Sequence, residues 1–102
     1  MVVYNAIFFK KGDMVYISHL DLMTLFRRAI RRADLPFVLT AGFTPRIKIS
    51  MPKALGLGKE SGSEQMKFRL IEEKEPSELI ELLNRELPEG IGITEITKEE
   101  KK

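Results

Sequence analysis

Two spacings of apolar residues alternate along this chain. Val2 to Lys11 is β-branched and aromatic with nearly continuous apolar character, which predicts a central strand covered on at least one face. Gly12-Asp13 predicts a turn, and Met14 to Ile17 a short extended lead. From Ser18 the period becomes helical. Leu22, Leu25, Phe26, Ala29, Ile30 and Ala33 share one face, and Arg27, Arg28, Arg31 and Arg32 project from roughly the opposite side. Ser18 followed by Asp21 predicts a capping box, in which the hydroxyl accepts from an orphan amide and the carboxylate reaches back to the cap; Ile17 and Leu22 would close a hydrophobic staple. The helix should stop near Asp34, because Pro36 biases Leu35 away from helical angles.

Phe37 to Thr40 reads as a short extended piece and Ala41 to Pro45 as a loop. Ile47, Ile49 and Met51 then alternate with Arg46, Lys48 and Ser50 in a second strand closed by Pro52. Lys53 to Ser63 is expected to be a loop carrying Gly56, Gly58 and Gly62. Met66, Phe68 and Leu70 alternate with Lys67 and Arg69 in a third strand. A second helix opens near Pro76 with the stripe Leu79, Ile80, Leu82, Leu83 and Leu87; Pro88 stops it, and Ile91 to Thr97 is a last strand. The string βαββαβ predicts an α+β, ferredoxin-like sandwich, a four-stranded antiparallel sheet with both helices on one face. We expect a single domain over residues 1–98 and a charged tail over residues 99–102.

Composition narrows the chemistry. With 43% hydrophobic and 31% charged residues, the chain is globular rather than disordered. No apolar run reaches membrane-spanning length, and Met1 to Phe9 lacks the basic leader and cleavage site of a signal peptide, so the expected compartment is the cytoplasm, with no membrane partner. The absence of cysteine excludes disulfides, a thiol nucleophile and an iron–sulfur cluster on this chain's own thiolates. With His19 the only histidine, no metal site and no cofactor is expected.

The net charge of +2 hides a division. Residues 1–70 hold 12 Lys and Arg against 5 Asp and Glu, whereas residues 71–102 hold 5 against 10. A basic front of this kind suits an anionic partner, nucleic acid above all. Arg27 with Arg31 and Arg28 with Arg32 are like-charge pairs at i,i+4, with no glutamate between Asp21 and Asp34 to relieve them. Arginine also forks onto phosphate better than lysine does. The alternative is a solvated face partly paired with acids of the second helix. Arg46, Lys48, Lys67 and Arg69 would form a second basic patch on the open sheet face, without the aromatics on which bases stack in many RNA binders of this fold. Lys59, in the glycine loop Ala54 to Gly62, could approach a phosphate, although the loop matches neither the phosphate-loop nor the dinucleotide spacing. Ser18, His19 and Asp21 invite an acid–base reading, but a lone histidine at a helix start is more often structural, and Asp21 is expected to serve the cap.

Taken together, Ile17-Ser-His-Leu-Asp21, Arg27 to Ala33, Gly42-Phe-Thr-Pro45 leading into Ile47-Lys-Ile-Ser50, Leu55-Gly-Leu-Gly58 and Leu87-Pro-Glu-Gly-Ile91 resemble the radical-SAM-linked protein family. That bacterial family is encoded beside or fused to radical S-adenosylmethionine proteins and is sometimes joined to a ribonuclease of the E/G type. The resemblance runs from about Phe8 to Ile93, and this chain would correspond to the amino-terminal part of longer members. A position that is often histidine in the family is Arg46 here. The resemblance implies an association with RNA modification or processing, and brings no catalytic residues with it. Any radical chemistry would use a cluster on a partner chain.

The expectation is a non-catalytic RNA-binding or adaptor domain for a radical-SAM or ribonuclease partner, with RNA contacts from Arg27, Arg28, Arg31, Arg32, Arg46, Lys48 and Lys59. The rivals are an RNA-acting enzyme using Ser18, His19 and Asp21, and a pure protein–protein docking module.

Overall fold

A computed structural model describes residues 1–51 and 61–99 of the chain. The strands are β1 (Val2–Lys10), β2 (Ile49–Ser50), β3 (Ser61–Leu70) and β4 (Ile91–Lys98); the helices are α1 (His19–Arg32) and α2 (Pro76–Glu86). The sheet order is β2-β3-β1-β4, with every pairing antiparallel. This is the order of a ferredoxin-like sandwich, and β1 is central as its continuous apolar character requires.

Tyr4, Ala6 and Phe8 of β1, Met66, Phe68 and Leu70 of β3, and Ile47 and Ile49 are buried in one cluster with Leu22, Phe26, Ala29 and Ile30 of α1 and Leu79 and Leu83 of α2. Because these strand residues share one parity and touch both helical stripes, both helices lie on one face of the sheet. Leu25 and Leu82, at the margins of their stripes, are half-buried. Two aromatic pairs fix the layers: Phe26 meets Phe8 edge-on at 4.9 Å between ring centroids, and Tyr4 stacks on Phe68 at 5.4 Å. The Tyr4 hydroxyl both donates to the Lys74 carbonyl and accepts from the Lys74 amide, each at 2.8 Å, which ties β1 to the approach of α2. On the edge strand β4, Asn84 donates to the Ile93 carbonyl at 2.9 Å and accepts from the Ile93 amide at 2.7 Å, occupying ladder groups that an edge would otherwise leave open.

Three local expectations around α1 need correction. The lead into α1 is not extended: Gly12–Tyr16 forms a 3-10 turn, entered through Gly12 at φ +62°. Ser18 accepts from the Asp21 amide at 3.1 Å as expected, but no return bond from the Asp21 carboxylate reaches the cap, so only half of the capping box forms. The end of α1 is set before Pro36 acts. Asp34 takes a left-handed conformation, φ 57°, its amide bonds to the Arg31 carbonyl, and the Leu35 amide reaches Ile30. This is a Schellman motif with aspartate where glycine is usual, and buried Leu35 supplies its apolar contact.

The strand expected from Arg46 shrinks to Ile49–Ser50, because the preceding piece competes for its place. Phe37 bridges Leu70 and the Val38 amide bonds to Arg69, so this piece lies beside the end of β3; Leu39 bridges Ile47, making a small hairpin out of residues 37–48. Conversely, β3 begins at Ser61, inside the stretch expected to be loop.

Ser18→Ala should cost about 0.5–2 kcal/mol by leaving the Asp21 amide without its acceptor. Urea denaturation should show a lower midpoint at the same slope, and an unchanged midpoint would mean that this cap contributes nothing.

Candidate functional site

A groove between α1 and the hairpin gathers four arginines. It has a volume of about 290 Å³ and is lined by Thr24, Arg27, Arg28 and Arg31 on one wall and by Pro45, Arg46 and Ile47 on the other. The helical wall follows from spacing: Thr24, Arg27, Arg28 and Arg31 fall within two turns of one face, opposite Phe26 and Ile30, which are held in the core. The other wall is held by hydrogen bonds at the foot of the hairpin. The Thr40 amide donates to the Arg46 carbonyl at 2.7 Å, the Arg46 amide donates to Thr40 Oγ1 at 3.1 Å, and the Lys48 amide donates to the Val38 carbonyl at 2.7 Å. A hydrogen bond joins the two walls, where Arg27 Nε donates to the Ile47 carbonyl at 3.0 Å.

Charge in the groove is one-sided. The ion pairs among the described residues include Lys67 with Glu99, Lys74 with Glu72, Arg85 with Glu81 and Lys98 with Glu73. Four acids of the rear half, Glu72, Glu73, Glu81 and Glu99, are thus engaged with lysines and with α2's own arginine, and none of these pairs reaches α1. Arg28, Arg31 and Arg46 are exposed and have no acidic partner among the described residues. An unopposed cluster of guanidiniums beside an open groove can receive a phosphate or carboxylate with forked hydrogen bonds.

The other expected contacts are placed elsewhere. Arg32 is exposed on α1 but outside the lining of the groove. Lys48 is exposed and alternates with Ile47 and Ile49, which puts it on the side of Ser50; Ser50 pairs with Lys67 of the open sheet face. Lys59 and the glycine loop from Ala54 to Gly58 lie outside the described residues.

The open sheet face differs from the even basic patch expected there. Its centre is the half-buried row Val3, Asn5, Ile7 and Phe9 of β1. Lys67 is paired with Glu99 at 3.0 Å. The Glu99 carboxyl is held below its ordinary range by the hydrogen bond from Lys67 and then by the charge of Lys67, with smaller help from Asn5 and Arg69 against a desolvation cost. The Phe9 ring lies so close over Gly92 that a Cβ there would sit 2.5 Å from it, and Lys11 Nζ stands 5.2 Å from its centroid. The one aromatic on this face is therefore already covered by backbone and a cation.

At the start of α1, Ser18 is occupied as the cap, Asp21 is exposed, and half-buried His19 keeps a buried Nδ1 without a partner. None of the three lines the groove. No group of three or more acids or histidines that could hold a metal ion occurs among the described residues.

Sequence reasoning passed over Thr24, which lines the groove, and an aromatic residue beside it. Phe43 stands fully exposed at the tip of the hairpin, in the loop whose next residues, Pro45 and Arg46, line the groove. The signal available was Gly42-Phe-Thr-Pro45 between two short extended pieces. Gly42, at φ +122°, supplies the backbone angle that lets the loop turn there.

Arg27 and Arg28 should separate on mutation. Arg27→Ala removes the bond to Ile47 and should lower stability by about 1 kcal/mol, whereas Arg28→Ala should leave it within about 0.5 kcal/mol. Thermal melts of the two variants at one ionic strength check this; equal shifts would mean that the Arg27 bridge does not brace the groove.

Residues 4–102 match the sequence profile of a family described as an uncharacterized protein conserved in bacteria, DUF2344. No curated protein matches the chain. A match over nearly the whole length places the chain in that bacterial family.

Proposed function

We propose that this domain binds RNA through its phosphates and acts as a non-catalytic adaptor in RNA modification or processing. The observation that carries the proposal is the groove between α1 and the hairpin, lined by Arg27, Arg28, Arg31 and Arg46 and facing no acid among the described residues. Like charges held this close repel by about a few tenths of a kcal/mol per i,i+4 pair, and an anionic ligand relieves that cost as it binds. A continuous polyanion suits several arginines set along one groove better than an isolated small anion does.

The class of partner rests on the sequence resemblance to radical-SAM-linked proteins. On that reading the domain presents RNA to a radical-SAM enzyme or an E/G-type ribonuclease in the cytoplasm, and the catalytic groups belong to the partner. A cysteine-free chain fits this division of labour, since an iron–sulfur cluster would have to be carried elsewhere.

Binding of single-stranded RNA should weaken with salt at a log–log slope of about 0.7 per neutralised phosphate, so of about 3 for the four groove arginines, or about fifty-fold between roughly 50 and 200 mM salt. Arg28→Gln, Arg31→Gln and Arg46→Gln together should bring the slope down by about 2 while leaving the Arg27 bridge intact. Arg32→Gln, on the same helix but outside the groove, serves as the matched control. Fluorescence anisotropy across a salt series measures both. A triple variant that keeps the parental slope would contradict the proposal and turn attention to protein–protein docking.

A further inference from the structure

Phe43 is an unusual residue to leave in water. The hairpin holds it at its tip with every residue from Ala41 to Arg46 exposed, while the other phenylalanines of the chain are buried or half-buried. The loop is not loose at its base, since Thr40 and Arg46 are joined by the two hydrogen bonds described above. Arg46 lies three positions after Phe43, so their Cα atoms are at most about 11 Å apart. An apolar ring is therefore held within a short, bounded distance of a groove that collects arginines.

We propose that Phe43 is a stacking platform for one unpaired base of single-stranded RNA, whose neighbouring phosphates lie in the groove of Arg27, Arg28, Arg31 and Arg46. The proposal rests on the reading of the groove as an RNA-phosphate site and names the form of RNA it takes. Two physical arguments favour a single strand. In a duplex each base is stacked between its neighbours and its face is closed to a protein ring, whereas a loop, bulge or end offers free faces. Stacking is also tolerant of sequence, which matches a site whose other contacts would all go to the backbone. The open sheet face is the less suitable place for a base, because Phe9 is laid against Gly92 and Lys67 is paired with Glu99. The base would thus be held on the helix side of the molecule, at the edge of the fold.

The test compares a short unstructured single-stranded RNA with a duplex of the same sequence, each labelled for anisotropy. Phe43→Ala should weaken binding of the single strand by about 5- to 150-fold, with the salt slope unchanged and with duplex affinity within twofold of the parent. Because Phe43 is fully exposed, the variant should melt with the parent, which separates lost binding from lost folding. The chain has no tryptophan, so Phe43→Trp adds a single indole; it should bind at least as well as the parent, and its fluorescence should be quenched by the single strand and not by the duplex. Single-strand affinity unchanged in Phe43→Ala, or an indole that the RNA does not quench, would overturn the stacking role while leaving the salt-dependent groove standing. A parent that binds neither RNA would overturn the proposal together with the reading beneath it.

Discussion

The rings of Phe26 and of Phe8 on the central strand meet in a T-shaped pair, 4.9 Å between centroids, and the placement of α1 depends on that contact. Phe26, Leu22 and Ile30 commit one side of the helix to the sheet, so the arginines between them can only turn to the rim and the solvent. Phe26 is followed directly by Arg27, whose guanidinium sits at the boundary and reaches back to the Ile47 carbonyl. The same helix rotation that fills the core thus sets the floor of the groove. A helix turned by one residue would bury a guanidinium and open the hairpin wall, and burying an unpaired charge is far more costly than the groove's mutual repulsion.

The second constraint is the distribution of acid. The rear half of the chain is rich in glutamate, yet Glu99, Glu72, Glu81 and Glu73 meet Lys67, Lys74, Arg85 and Lys98, and no ion pair among the described residues reaches α1. Surface pairs of this kind contribute little to stability, so their effect is better described as an arrangement of field than as a source of folding energy. They reduce positive potential on the sheet face, where Glu99 lies beside Lys67, and leave it at the groove. The two faces end up with different character: a half-apolar sheet face with a neutralised cation, and a helix face with an unopposed cluster of arginines.

Much of this was legible in the sequence. The helical period from Leu22 to Ala33 and the strict alternation of Met66, Phe68 and Leu70 fixed which sides face inward, because each pattern fits only one secondary structure. What the sequence hid was competition between nearby segments. Arg46 to Met51 alternates as cleanly as β3 does, yet Phe37 to Leu39 takes part of its place against β3, and that outcome depends on tertiary pairing. The sequence predicts a stop at Asp34 through Pro36, whereas a left-handed aspartate closes the helix first, a conformation that glycine would have advertised. Lys67 was legible as an outward cation, but its pairing with Glu99 joins residues far apart in the chain. Phe43 escaped notice for the converse reason: an aromatic in a loop gives no period by which to judge its burial.

The central claim is that the anionic ligand occupies the helix side of the molecule and not the open sheet face. Amide chemical shifts of the isotopically labelled domain, followed as single-stranded RNA is added at low salt, test this most directly. The account predicts that the shifts concentrate on residues 24–31 of α1 and residues 41–47 of the hairpin, with Asn5, Ile7 and Lys67 little changed. Shifts concentrated on the exposed side of β1 and β3, with α1 and the hairpin silent, would contradict it.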